Sequence, residues 1–119
     1  MQPGYAASSL DELGEGYGFR KIRGALGVTA FGCNAIVVPP GHTSHRHVHE
    51  RQQELYFVHS GRIVFHVGDE EIELGPGGLL RVDPEVPRGF RNLSDSEPAV
   101  YLCVGGDGGY VGRDATPVE

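Results

Sequence analysis

The histidines of this chain are concentrated in one short segment. Four of the six lie between His42 and His49, in the stretch GHTSHRHVHE. If residues 45–49 are extended, alternate side chains share a face, which places His47 and His49 on one side. Two imidazoles at positions i and i+2 can then reach a single point in space. This is the geometry that two ligands of one metal ion need.

A carboxylate follows the histidines at a distance that allows it to return to the same point. Residues 50–53 are polar enough to turn the chain, and Glu54 then begins an apolar strand. Two histidines and one carboxylate form a facial ligand set that suits Fe(II), Mn(II), Ni(II), Co(II) or Zn(II) and leaves positions open for a substrate. The spacing therefore predicts that His47, His49 and Glu54 bind a divalent transition metal.

One alternative stays open at this point. A solvent-exposed, histidine-rich loop would have the same sequence without binding any metal. Because only neutral imidazole binds a metal, we expect the affinity of any such site to fall below the free histidine pKa of ~6.5.

Length and charge limit the function classes. The chain has 119 residues, the size of one domain, and its 16 acidic and 10 basic residues give a formal charge of −6. Binding to nucleic acid or to anionic membranes rewards clustered positive charge, so neither partner is expected. The amino-terminal segment has no basic region followed by an apolar stretch, so a cytoplasmic location is the expectation. The expected partners are a small molecule and a second copy of the chain.

The two cysteines do not suggest a second metal site. Cys33 and Cys103 lie far apart, each in an apolar, strand-like context. Closely spaced cysteines are typical of zinc sites, and larger even sets are typical of disulfide frameworks. We therefore expect two reduced thiols that pack as small hydrophobic side chains.

Short strands must position the candidate ligands. The 19 glycines and 8 prolines punctuate brief apolar runs, and about eight or nine strands at a spacing of roughly 8 to 12 residues indicate an all-β sandwich or barrel. The predicted domain covers residues 17–106, between a polar arm at 1–16 and a glycine-rich loop or tail at 107–119. Ser60-Gly61 predicts a hairpin turn. Beyond one helical turn in the arm, no helix is predicted.

The histidine segment resembles the first motif of the cupin superfamily. That motif is a glycine, five residues, His-x-His, three or four residues, a glutamate, six residues and a glycine. The chain has all of it: Gly41, His47, His49, Glu54 and Gly61. The second cupin motif is matched only in part, because Gly77 and Asn92 are present but Arg88 occupies the histidine position. The resemblance spans about residues 25–105.

The resemblance implies a fold and a class of chemistry. It implies a single-domain antiparallel jelly-roll barrel, often dimeric, and a metal-dependent oxygenase, isomerase or lyase acting on a small molecule. In metal-binding cupins the second-motif histidine is usually the fourth protein ligand. Arg88 cannot replace it, because guanidinium offers no lone pair and stays protonated. A permanent positive charge beside a dication is also unfavourable in a poorly solvated pocket.

Arg88 leaves three interpretations open. In the first, the metal stays on the three first-motif residues, and Arg88 binds a carboxylate or phosphate of the ligand. In the second, no metal binds and Arg88 pairs with Glu54 inside the barrel, which then serves as a metal-free ligand-binding or sensor domain. In the third, His42 or His45 completes the metal site.

Two aromatic residues are predicted to line the same pocket. Tyr56 shares strand parity with Glu54, and Phe90 shares it with Arg88. Together with Arg88 they are the predicted contacts for a substrate. Packing alone would also explain both aromatic side chains.

Overall fold

The predicted strands assemble into two antiparallel sheets. The computed structural model describes residues 4–118, in which one short helix, α1, spans Ile22–Leu26. No helix in this part of the chain is long and apolar enough to cross a membrane. The prediction of an all-β jelly-roll barrel is confirmed. The strands β1 to β10 span Gly18–Arg20, Gly32–Val38, Arg46–His49, Gln53–Ser60, Ile63–Val67, Glu70–Leu74, Leu79–Val82, Arg88–Asn92, Ala99–Gly106 and Ala115–Val118.

Each sheet contains five strands, and the core lies between the sheets. The first sheet has the order β1-β2-β9-β4-β7 and the second the order β10-β3-β8-β5-β6. Along β4, exposed and buried residues alternate, because successive side chains of a strand point to opposite faces. The inward-facing apolar side chains pack into one cluster: Val38, Tyr56, Val58, Ile63, Phe65, Val82, Ala99 and Tyr101.

The connection after β4 differs from its prediction. The sequence predicts a hairpin at Ser60-Gly61, but β4 and β5 belong to different sheets, so the turn is a corner that crosses between them. Gly61 has a φ of +79°, and a Cβ at this position would lie 2.7 Å from the Cβ of Ala99. The corner therefore requires glycine. A local turn signal does not specify which strand the next strand pairs with.

Two elements lie where the sequence predicts other structure. The helix α1 lies within the predicted domain, where no helix is predicted, and it is followed by the C-cap Gly27, which has a φ of +71°. β10 lies in the segment predicted as loop or tail, and it pairs antiparallel with β3. Such short elements depend on distant contacts rather than on local pattern. The predicted domain boundaries stay predictions, and residues 1–3 and 119 of the flanking segments lie outside the described residues.

A buried arginine holds the amino-terminal segment against the barrel. Arg20 is 5% exposed and has no carboxylate partner among the described residues. Its Nε donates to the Leu10 carbonyl at 3.1 Å, and its Nη2 donates to the Gly16 carbonyl at 2.8 Å. These bonds fasten the 3₁₀ turn Asp11–Leu13 and the residues after it to β1.

Candidate metal centre

β3 and β4 bring the three predicted ligands together. β3 places His47 and His49 on one face, as extended backbone requires, and Glu54 is the second residue of β4 in the opposite sheet. One ligand atom of each residue lies within 4.8 Å of the other two. The imidazole rings meet edge to face, with centroids 5.0 Å apart. Two nitrogen donors and one oxygen donor thus converge on one point.

Glu54 is buried and held by several donors. Tyr56 donates its hydroxyl to Oε1 at 2.5 Å, Arg88 donates Nη1 to the same oxygen at 2.8 Å, and Cys103 donates its thiol to Oε2 at 3.2 Å. Burial acts to raise the pKa of Glu54, but the contacts with His49 and Tyr56 outweigh it and lower the pKa to about 2. Glu54 is therefore a carboxylate at neutral pH, the form that binds metals.

His49 has one engaged and one free ring nitrogen. Its Nδ1 lies 2.6 Å from Oδ1 of Asp114. Its Nε2 is buried and has no hydrogen-bond partner within residues 4–118, although it lies 3.1 Å from Oε1 of Glu54. The two atoms are not aligned as a hydrogen bond, and they attract each other only when His49 is protonated, because in the neutral ring a bare Nε2 and the carboxylate oxygen both present lone pairs. A buried nitrogen without a partner is costly, and ligation of a metal would remove that cost.

The protonation of the two histidines is governed by different neighbours. Burial lowers the pKa of His47 below its ordinary value, against an opposing effect of Glu54, so its ring is neutral at neutral pH. Burial also acts to lower the pKa of His49, but the carboxylates of Glu54 and Asp114 outweigh it and raise the pKa. A proton on His49 therefore competes with a metal more strongly than a proton on His47 does.

Arg88 is enclosed beside this group. Its side chain is 2% exposed, and it lies opposite His47 in the register of β3 and β8. The pairing of Arg88 with Glu54, which the second interpretation requires, is present in the structure. The predicted binding of an anionic ligand by Arg88 stays a prediction. The other acceptors of its guanidinium are the carbonyl oxygens of Asp83, Pro84 and Val86.

The remaining predicted residues lie around the ligand group. His42 and His45 are exposed and are not members of the group formed by His47, His49 and Glu54. Tyr56 reaches the group through its hydroxyl, as described above. Phe90 packs edge to face on the buried Tyr101, with ring centroids 5.0 Å apart. The aromatic residues therefore lie in the barrel, and the two extra histidines lie outside the ligand group.

Two polar contacts of the site were not predicted. Cys103, predicted as a small hydrophobic side chain, donates to Glu54, and strand parity with the buried Tyr101 is the signal that could have placed it inside. Asp114 is 65 positions from its partner His49 and lies in a segment without strand periodicity. Nothing in the sequence pattern indicates that contact.

The donor set fits a divalent transition metal. Two imidazoles and one carboxylate are ligands that Fe(II), Mn(II), Co(II), Ni(II) and Zn(II) accept. The buried Nε2 of His49, which has no hydrogen-bond partner among the described residues, supports the same fit. Arg88 is the unfavourable feature, because its positive charge lies 2.8 Å from the ligand oxygen of Glu54.

The chain matches the family described as the cupin domain over residues 35–105, more than half of its length. A cupin protein from Bacteroides fragilis is 22% identical and superposes with a TM-score of 0.75, covering 94% of this chain and 92% of that chain. At this identity the likeness concerns the fold alone.

Two further relatives cover less of this chain. A structure described as a sugar phosphate isomerase from a cupin superfamily, from Silicibacter pomeroyi, is 30% identical with a TM-score of 0.67, over 73% of this chain and 57% of that one. An uncharacterized protein of Methanocaldococcus jannaschii is 24% identical over 67 residues, 56% of this chain and 54% of that protein. The chain thus spans about half the length of this curated relative.

Proposed function

Because this chain belongs to the cupin family, we propose that it binds a divalent transition metal inside its barrel and binds or transforms a small organic molecule there. The observation that carries this proposal is the convergence of His47, His49 and Glu54, whose ligand atoms lie within 4.8 Å of one another. The buried, unpartnered Nε2 of His49 within the described chain adds to it.

The residues around the ligands supply what such a site needs. Tyr56 and Cys103 hold the two oxygens of Glu54 in place, so the carboxylate does not have to be ordered on binding. His47 offers a neutral nitrogen at neutral pH because burial lowers its pKa. A bound metal would supply Lewis-acid chemistry on coordination positions that the protein leaves open. Its identity is proposed only as one of Fe, Mn, Ni, Co or Zn.

The proposed ligand is a small, anionic organic molecule. The neighbour from Silicibacter pomeroyi, described as a sugar phosphate isomerase, is 30% identical to this chain and supports a phosphate-bearing ligand and isomerisation over the oxygenase and lyase alternatives. Arg88, Tyr56 and Phe90 are the proposed contacts for this ligand. Four oxygens already accept from Arg88, so an anion would have to use its remaining N–H or displace Glu54.

Elemental analysis tests the metal proposal. Tag-free protein should retain about one equivalent of a single transition metal, and the double variant His47→Ala, His49→Ala should retain none. The double variant His42→Ala, His45→Ala is the matched control, because it removes the same number of imidazoles from the same segment. Binding that survives in the first variant would overturn the proposal. Weaker binding in the second would instead support the predicted extra ligand.

A metal-free binding domain is the second candidate function. The buried pair of Arg88 and Glu54, at 2.8 Å, favours it, because each charge already has its partner. Thermal-shift measurements with sugar phosphates and small dicarboxylates, with and without a chelator, separate the two functions. Stabilisation that chelator abolishes supports the metal site, whereas stabilisation that chelator leaves unchanged supports metal-free binding.

A further inference from the structure

The carboxylate of Asp114 joins the carboxyl-terminal segment to a candidate ligand. Asp114 directly precedes β10, and its Oδ1 lies 2.6 Å from Nδ1 of His49. The two side chains are 8% and 6% exposed. The other oxygen, Oδ2, accepts the backbone N–H groups of Arg51 at 2.8 Å and Gln52 at 3.1 Å. One side chain thus holds both the imidazole and the turn that connects β3 to β4.

These contacts decide which ring nitrogen of His49 carries the proton. At 2.6 Å from a carboxylate oxygen, a bare Nδ1 would place two lone pairs against each other, so Nδ1 must be the donor. The side-chain amide of Gln52 lies 3.1 Å from Nδ1, but it also lies 2.6 Å from Oδ1 of Asp114, to which it donates. A neutral His49 therefore has its lone pair on Nε2, the nitrogen near Glu54.

We propose that Asp114 is the positioning residue of the metal centre: it fixes the tautomer and ring orientation of His49 so that Nε2 points its lone pair at the site. The inference rests on the proposed metal-binding function and deepens it. The carboxyl-terminal strand β10 pairs along the whole of the ligand strand β3, from His49 to Arg46. A carboxylate behind a ligating histidine holds its orientation and strengthens it as a donor.

The tautomer is measured first, on the metal-free wild-type protein. Two-bond ¹H–¹⁵N correlation spectra of the histidine side chains, assigned with His49→Gln and recorded at a pH at which the His49 ring is neutral, should show Nδ1 protonated and Nε2 unprotonated. A neutral ring with its proton on Nε2 would overturn the inference, whether or not the protein binds metal. This experiment needs no variant of Asp114 and no metal.

The second measurement is the affinity for Zn²⁺, by competition with a chromophoric chelator. We expect Asp114→Ala to weaken binding by roughly 10- to 100-fold, as is typical when the partner of a ligating histidine is removed. Asp114→Asn keeps one of the two acceptor oxygens, so it should lose less affinity than Asp114→Ala. Asp107→Ala is the matched control, because this exposed aspartate of the same segment contacts the side chain of Arg51 and no ligand residue.

The outcomes separate the inference from the function on which it rests. Failure of wild-type protein to bind any of Zn²⁺, Fe²⁺, Mn²⁺, Co²⁺ and Ni²⁺ would overturn the proposed function, and the tautomer would still test the role of Asp114. Normal zinc affinity in a folded Asp114→Ala variant would overturn the inference alone. If the backbone spectrum of Asp114→Ala shows that this variant does not fold, the zinc affinity of Asp114→Asn and the tautomer of wild-type His49 test the inference instead.

Discussion

Glu54 is both a buried charge that needs hydrogen-bond donors and a candidate metal ligand. Its Oε1 accepts from Tyr56 and Arg88 and lies 3.1 Å from Nε2 of His49. A metal would share this oxygen with a guanidinium, which withdraws negative charge from the ligand. The same ion pair compensates the buried charge of Glu54 when no metal is bound. The residue therefore serves stability and binding at once, and each role can be tested.

The pH dependence of stability tests the first role of Glu54. Its pKa is lowered from 4.5 to about 2, so its ionised form contributes stability that is present above pH 4.5 and is lost as the pH falls through about 2. The shift corresponds to about 3 kcal/mol. We expect the unfolding free energy of metal-free wild type, from urea titrations, to fall more steeply in this window than that of Glu54→Gln.

Glu73→Gln is the control for this experiment. Glu73 is exposed and pairs with Arg62 at the surface, at 2.9 Å. An exposed pair of this kind contributes little, so the variant should follow the pH profile of the wild type. Parallel profiles for wild type and Glu54→Gln would show that the predicted role of Glu54 in acid stability is wrong.

Replacement of Arg88 by histidine tests the second role. The change removes a positive charge 2.8 Å from Glu54 and places an imidazole at the position where metal-binding cupins have a ligand. We expect the affinity for Zn²⁺, measured by chelator competition, to increase by roughly tenfold or more, because the repulsion between two adjacent cations is removed. Weaker binding in a folded variant would contradict this expectation.

Arg88→Met separates the charge from the new ligand. Methionine removes the guanidinium without offering an imidazole, so it should give only part of the gain. Both variants leave the carbonyls of Asp83, Pro84 and Val86 without a donor, at a cost of about 1–3 kcal/mol for each group that water cannot reach. The zinc affinity of each variant must therefore be measured below its unfolding temperature. Equal gains in the two variants would assign the effect to charge alone.

At the residue scale, the sequence predicted the ligand group because its geometry is local. His47 and His49 are two positions apart on one strand, and Glu54 returns on the next. The partner of Arg88 stayed one of three interpretations, since its choice depends on β8 lying beside β3. The bond from Asp114 to His49 spans 65 positions and depends on β10 lying beside β3.

At the scale of the elements, the corner between β4 and β5 constrains the chain both by its backbone conformation and by a close contact. Gly61 has a φ of +79°, and a Cβ there would lie 2.7 Å from the Cβ and 2.9 Å from the Cα of Ala99. Gly61→Ala should therefore cost more than the ~1 kcal/mol typical of a left-handed alanine. We expect a loss of roughly 2–4 kcal/mol in unfolding free energy, because the backbone of one strand must shift.

Gly77→Ala is the matched control for the corner. Gly77 also has a positive φ, +86°, but no atom lies within 4 Å of a Cβ built there. This variant should show the backbone cost alone, about 1 kcal/mol. Equal losses for the two variants in chemical denaturation would show that the contact with Ala99 is not the cause.

The sequence predicted those elements whose own residues indicate their structure without reference to a neighbouring strand. β4 contains the continuous apolar run Leu-Tyr-Phe-Val, which indicates a strand but does not show which of its two faces is buried. Sheet membership is not visible in the same way, and the hairpin predicted at Ser60-Gly61 was wrong for this reason. β10 was missed because a strand with the residues Ala-Thr-Pro-Val is stabilised by its partner β3 rather than by its composition.

At the scale of the whole molecule, the barrel protects its polar centre by placing it between two sheets. The ligand group lies between β3 of one sheet and β4 of the other, so any change in how the sheets pack alters the distances among the ligands. The opposite face of the first sheet carries exposed apolar side chains. Leu55, Phe57 and Leu79 are 44%, 36% and 62% exposed there, on neighbouring strands, and Phe57 lies opposite Leu79 in register.

This exposed apolar face supports the predicted homodimer, and a single charge tests it. Leu79 belongs to β7, an edge strand of the first sheet, and an edge strand with exposed apolar area is a surface on which a second chain can pair. We expect wild type to sediment as a dimer and Leu79→Glu as a monomer, because a carboxylate buried at an interface has no partner. Tyr17→Glu is the comparison, since Tyr17 is another exposed aromatic residue, 59% exposed, and lies before β1. Dissociation by Tyr17→Glu alone would place the interface there, whereas a monomeric wild type would show that the predicted homodimer is wrong.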